Sequence, residues 1–215
     1  MHVPDGFIAP QVYLPSAAAA AGLWAYAARR VRRAVREAAI PRLAVLTALS
    51  FVLMMIALPL PGGSSAHAAG IGLLAVRFGV WTSFLCVSLV LLLQALILGA
   101  GGITTLPVNA LAMGLAGSAA AWAAWRALRG VSEDAARFAA GYLGLTVPAL
   151  LVALALGVQP LIARAEDGSP LFFPFGLAVT LPAVMIPHLL LGVAEGLLTV
   201  AACRLLDRLD AGEAP

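Results

Sequence analysis

The run Val80–Gly99, VWTSFLCVSLVLLLQALILG, holds twenty residues without a single Asp, Glu, Lys or Arg. About 20 such residues, wound as a helix, cross the ~30 Å hydrocarbon core of a bilayer. A membrane β-strand would be shorter and would alternate apolar with polar residues, whereas this run is continuous. Val80–Gly99 therefore predicts a transmembrane helix. Similar stretches lie at Ala9–Ala28, Leu43–Leu60, Pro107–Leu128, Phe138–Val158 and Phe173–Leu206, with a shorter one at Ala68–Phe78. The chain as a whole is 62% hydrophobic and 11% charged, and its mean hydropathy is +1.01. An ordinary water-soluble domain is about 25% charged.

The expected fold is thus an all-α membrane protein of about seven transmembrane helices, one of them short. Ala68–Phe78 is too short to span alone and should pack within protein. Pro182 and Pro187 are expected to bend or break the last segment. Residues 1–206 read as a single polytopic membrane domain, followed by a short cytoplasmic tail, 207–215. Cys86 and Cys203 fall in separate apolar segments and read as buried small hydrophobes with neither a disulfide nor a thiolate metal site.

All thirteen basic residues are arginines, and twelve of them fall in alternate loops or at the C-terminal end. Arg29, Arg30, Arg32, Arg33, Arg36 and Arg42 follow the first segment, Arg77 follows the third, and Arg126, Arg129 and Arg137 follow the fifth. Arg204 and Arg208 close the last, and Arg164 alone falls on the other side. The positive-inside rule then puts the N-terminus outside and the C-terminus in the cytoplasm. The basic balance records topology, so nucleic acid is not expected as a partner; the lipid bilayer is. No cationic leader precedes the first segment, so Met1 is expected to persist as the first residue.

That expectation gives His2 chemical meaning. A free amine at Met1, the Met1–His2 amide and the His2 imidazole present three nitrogens in a row. Late first-row divalent ions such as Ni²⁺, Cu²⁺ and Co²⁺ favour imidazole and tetragonal nitrogen sites. One in-plane corner stays open, and only His67 and His188 remain as further histidines. The charge pattern places the loop Pro61–His67 on the same face as His2. His67 is therefore the candidate fourth ligand, although a histidine in a Gly-Ser loop could equally be a solvated residue.

These residues carry a family resemblance. Met1-His2-Val3-Pro4-Asp5-Gly6-Phe7 resembles the N-terminal signature of the CbiM/NikM family, the substrate-binding S components of energy-coupling-factor transporters for cobalt and nickel. Gly63 to Leu73 (GSSAHAAGIGL), Gln94 to Leu106 with Asn109 to Gly114, and His188 with Glu195 to Thr199 resemble three later signatures, in order. The resemblance implies a roughly square-planar site formed by the Met1 amine, the main-chain nitrogen and imidazole of His2, and the His67 imidazole. Asp5, Ser64, Ser65 and Asn109 are candidates to support those ligands by hydrogen bonds. Ala100 departs from the family pattern, which has a histidine before the Gly-Gly pair, and this bears on fine selectivity.

Other polar residues have competing readings. Asn109 could tie down the His2 segment or serve as a helix cap or interhelical bond. Asp5 could accept from His2 or face water. Gln94 reads as structural glue. His188 and Glu195, seven residues apart, could share a helix face as a packing pair or form a proton relay. The Ala112, Ala116, Ala120, Ala124 and Gly192, Gly196 spacings suit either internal packing or docking to another membrane subunit.

The chain has no Gly-x-x-x-x-Gly-Lys-Ser/Thr loop, so it carries no ATPase site of that type. The resemblance implies an ECF transmembrane coupling subunit and two ATP-binding cassette ATPase subunits as partners, often with a small accessory membrane protein. It also implies location in a bacterial or archaeal plasma membrane. The expected function is non-catalytic capture of Co²⁺ or Ni²⁺ as transported substrate, with no cofactor, feeding cobalamin biosynthesis or nickel enzymes. The rivals are a stand-alone secondary divalent-metal permease and an intramembrane metalloenzyme using His67 and Glu195.

Overall fold

A computed structural model describes residues 2–59 and 65–212. Six long helices form a bundle: α1 (Pro10–Ala34), α2 (Ile40–Met55), α3 (Ile71–Leu98), α4 (Leu106–Leu128), α5 (Glu133–Gly157) and α6 (Leu177–Asp210). Among the described residues, five stretches are long and apolar enough to cross a membrane; they contain α2 to α6. Helix α1 is 25 residues long but dilutes its Leu and Val with Ala, Pro, Gln, Tyr, Trp, Gly and Ser, and it carries four arginines in its C-terminal part. Its lower mean hydropathy leaves it outside that group.

Five such stretches are fewer than the seven expected. The segments expected at Ala68–Phe78 and Val80–Gly99 correspond to two helical limbs, 71–78 and 80–98, that meet at a non-helical Gly79 and are labelled together as α3. Gly79 has φ 77° and ψ 173°, a conformation that a Cβ disfavours, and it sits where the two segments meet. The first limb is packed within protein, with Ile71 through Ala75 all buried. The second expected segment stops short: α2 ends at Met55, and Leu58–Pro59 (β1) pairs antiparallel with Ser65–Ala66 (β2). The last helix starts at Leu177 and runs unbroken through Pro182 and Pro187 to Asp210. Interior prolines are tolerated in membrane bundles because neighbouring groups satisfy the freed carbonyls.

Local chemistry explains the starts. Pro10, Pro41 and Pro107 occupy first-turn positions, where the missing N–H costs nothing. Helix α5 is capped by the Ser132 hydroxyl, which accepts from the Ala135 N–H, with Glu133 and Asp134 in the first turn. Helices α5 and α6 pack closely: the Cα faces of Gly192 and Gly196 lie against Tyr142, Thr146 and Phe138. That glycine pair therefore serves internal packing.

The bundle has two chemically distinct ends. At one, Asp207 binds both Arg77 and Arg137 at 2.7 Å, Arg204 pairs with Asp134, and Arg42 pairs with Asp210. These contacts gather the start of α2, the kink of α3, the start of α5 and the end of α6. At the other end, residues 2–9 fold inward over the bundle. Cys86 and Cys203 are buried and free, and Gln94 donates to the Phe51 carbonyl at 3.2 Å.

Candidate functional site

The N-terminal segment is threaded into protein, with Val3, Ile8 and Ala9 almost wholly buried. Asn109 grips Val3 on both sides: its Oδ1 accepts the Val3 N–H at 3.0 Å, and its Nδ2 donates to the Val3 carbonyl at 3.0 Å. Thr105 donates its hydroxyl to the same carbonyl at 2.6 Å. Farther along, Gln159 accepts the Ala9 N–H at 2.9 Å, and the Phe173 N–H reaches the Phe7 carbonyl at 3.3 Å. Of the readings open for Asn109, the geometry selects the one that ties down the His2 segment. Asn109 ends an α-helical turn directly before a π-helical stretch, Ala110–Gly117. Such wider turns are rare and are frequent at functional sites.

Asp5 bonds the loop before α4 rather than His2. Its carboxylate accepts from the Ile103 N–H at 3.0 Å and from Thr104 through both the N–H, at 2.9 Å, and the hydroxyl. Partial burial opposes ionisation there, yet these hydrogen bonds hold the carboxyl below its usual range. Gly102 makes the approach possible. A Cβ at that position would stand 2.2 Å from the Asp5 Oδ1 and 2.4 Å from its main-chain nitrogen.

Docking brings His2 against His67. Their rings stack with centroids 4.6 Å apart and planes 26° from parallel, and the residues are 7% and 1% exposed. The His67 Nδ1 lies 3.1 Å from the Ala68 carbonyl. A carbonyl only accepts, so Nδ1 carries the proton and Nε2 keeps a lone pair. Burial pushes the His2 imidazole down to about 3 and that of His67 well below its usual value, so both are neutral at pH 7. Neutral imidazole is the metal-binding form. Among the described residues, the Nε2 atoms of His2, His67 and His188 are all buried without a hydrogen-bond partner.

Glu195 supports this site in a way the sequence reading missed. It is 1% exposed, and its two oxygens accept the N–H groups of Ala69, at 3.0 Å, and Gly70, at 2.5 Å. The carboxylate thereby anchors the segment that carries His67 at the entrance to α3. It does not pair with His188, whose Nδ1 donates to the Val184 carbonyl at 2.7 Å. With both oxygens engaged, Glu195 is not a free general base. Its signal was an ionisable residue within an apolar helix; Thr105 and Gln159 gave none.

Met1 and Ser64 lie outside the described residues, and Ser65 is half-buried in β2. Among the described residues, no three His, Cys, Asp or Glu side chains are grouped to share one ion.

The family model CbiM, described as the cobalt uptake substrate-specific transmembrane region, matches residues 2–212. The fused nickel transport protein NikMN of Rhodobacter capsulatus is 39% identical over 215 residues, covering 97% of this chain and 62% of that protein. The probable fused nickel transport protein LarMN of Lactiplantibacillus plantarum is 36% identical, covering 97% and 65%. The chain thus spans less than two thirds of the length of either. A crystal structure of a truncated transition-metal transporter superposes with TM-score 0.93 at 33% identity, over 100% of both chains. Matched over nearly its whole length, the chain is a multi-pass membrane protein that belongs to the CbiM family.

Proposed function

We propose that the protein captures Ni²⁺ or Co²⁺ as a transported substrate and acts as the substrate-binding component of an energy-coupling-factor importer. The observation that carries this reading is the burial of a tethered His2 against His67, with both imidazoles neutral and, among the described residues, no partner for the His67 Nε2. In a chain that starts at Met1, His2 closes a six-membered chelate with its own amide nitrogen through Nδ1. The Met1 amine adds a five-membered ring, and the His67 Nε2 fills the fourth corner. Four nitrogen donors in a plane suit Ni²⁺ and accept Co²⁺. Asn109, Thr105 and Asp5 hold the chelating segment in place, and Glu195 holds the His67 segment.

The family membership and the nickel-transport names of the relatives support metal uptake as the purpose of capture. The reading takes an ECF coupling subunit and two ATP-binding cassette ATPases as partners, in a bacterial or archaeal plasma membrane. It sets the arginine-rich end in the cytoplasm, following the positive-inside rule.

The test compares protein beginning at Met1 with a form extended by one residue. The native form should bind Ni²⁺ at one ion per chain, and the extended form should lose at least about a hundredfold in affinity, or 2.7 kcal/mol. Equal affinities would remove the amine from the site and sink the proposal.

A further inference from the structure

Away from the histidines, α2 and α3 leave a groove of about 540 Å³ in the lipid-facing surface of the bundle. It runs from Ile40 to Val52 on α2 and from Cys86 to Ile97 on α3. Its floor includes Cys86 and Val90, which are 9% and 1% exposed, and its rims are exposed apolar residues such as Val52, Leu89 and Ile97. Thr47 lines it too, but its hydroxyl is spent on the Leu43 carbonyl at 2.7 Å. None of the described residues along the groove is charged.

The length of the groove sets the scale of its occupant. About twelve residues of helix separate Ile40 from Val52, or about 18 Å. That is close to the depth of one leaflet, about half of the ~30 Å hydrocarbon core. An acyl chain has this reach, whereas a spanning partner helix is about 10 Å across and follows the full ~30 Å.

Charge lies where the groove meets the arginine-rich end. Ile40 is flanked by Ala39 and Pro41, which line a second pocket together with Arg36, Arg42 and Phe78. Arg42 is paired with Asp210. Arg36 is exposed and, among the described residues, has no carboxylate partner. Between residues 29 and 42 six arginines stand against a single acid, Glu37. The first turn of α2 adds the positive end of its macrodipole. Aromatic residues mark this level as the membrane–water interface, where Trp and Tyr gather. Arg30 lies over Tyr26, Arg126 over Trp122 and Arg129 over Trp125, with guanidinium carbons 4.7 to 5.9 Å from the ring centroids. Trp81 packs edge-on against Tyr26.

We propose that this surface holds one anionic phospholipid, with an acyl chain in the groove and its phosphate at Arg36. Basic pockets between membrane helices bind anionic headgroups in this way. Arg42 borders the phosphate position while keeping its ion pair, so the lipid sits against a link between α2 and the end of α6. A zwitterionic lipid fits the groove equally, but its ammonium offsets the charge that Arg36 attracts.

The test counts lipids retained by the purified protein in native mass spectra. The protein is first equilibrated with micelles holding equal amounts of dioleoylphosphatidylglycerol and dioleoylphosphatidylcholine. One phosphatidylglycerol per chain should be retained, with at least about a fivefold preference over phosphatidylcholine. Arg36→Gln should reduce that preference below about twofold. Arg126→Gln, at the same end but stacked on Trp122, should leave it unchanged. Ala44→Trp fills the groove with the arginines intact and should lower retention of both lipids at least about fivefold. Ala48→Trp, one turn farther along, repeats that test at a second position, and native melting temperatures identify the folded variants. Equal retention of the two lipids would overturn the proposal, as would an equal loss of preference in Arg126→Gln and Arg36→Gln. Full lipid retention in a folded tryptophan variant would also overturn it. Release of a co-purifying membrane protein in place of lipid would assign the groove to a partner helix and refute the lipid.

Discussion

Replacing Asn109 with Ala should loosen the chelating segment without touching a metal ligand. The Val3 N–H would lose its acceptor inside protein, which costs about 1–3 kcal/mol, and one further hydrogen bond worth about 1 kcal/mol net would vanish. The Val3 carbonyl would keep its bond from Thr105. The sum, about 2–4 kcal/mol, corresponds to a roughly thirtyfold to several-hundredfold weaker Kd if binding draws on the docked segment. Asp5→Ala removes hydrogen bonds at an exposed position, where water replaces them, and should cost only about fivefold. Ni²⁺ titration of the two variants, with hydrogen exchange at the Val3 amide, checks the ranking. An Asn109→Ala protein with a Kd within threefold of the native one and a protected Val3 amide would refute the reasoning, as would a larger loss from Asp5→Ala.

Gly102→Ala should weaken Ni²⁺ binding at least about tenfold, because its Cβ would fall 2.4 Å from the Asp5 main-chain nitrogen and the N-terminal segment must move; native affinity would contradict the docked geometry. Glu195→Gln presents an amide N–H to the Ala69 or Gly70 N–H and should cost about 2–3 kcal/mol, lowering the melting temperature by roughly 4–12 °C. An unchanged melting temperature would remove Glu195 as the anchor of the His67 segment. Metal binding should weaken with acid. The docked His2 titrates near 3 and a free one near 6.5, so docking stability is complete above about pH 6.5 and is lost as pH falls toward 3. At pH 5 this contributes about 2 kcal/mol, roughly thirtyfold in Kd relative to pH 7.5, with protons on the amine and amide adding to it. A flat profile between pH 7.5 and 5 would contradict it.

The helices were legible because apolar runs such as Val80–Gly99 exceed the bilayer thickness. Their junctions were legible only in part. Gly79 reads as a boundary in sequence, and its non-helical backbone does divide the two limbs of α3 there. Pro182 and Pro187 read as breaks, and the bundle absorbs both. His2, His67, Asn109 and Asp5 could be picked out because rare polar residues stand out against an apolar background. Their partners could not. The hydrogen bonds by which Asn109 accepts the Val3 N–H and Glu195 accepts those of Ala69 and Gly70 cross more than a hundred positions and involve main-chain atoms, which leave no trace in residue identity.

The most direct test of the account is the ligand-field spectrum of Ni²⁺ bound to protein that begins at Met1. Four in-plane nitrogens should give a diamagnetic, square-planar nickel centre with one ion per chain and none of the weak bands of six-coordinate nickel. A paramagnetic, octahedral spectrum would mean that water and side chains hold the ion, and the N-terminal chelate would be wrong.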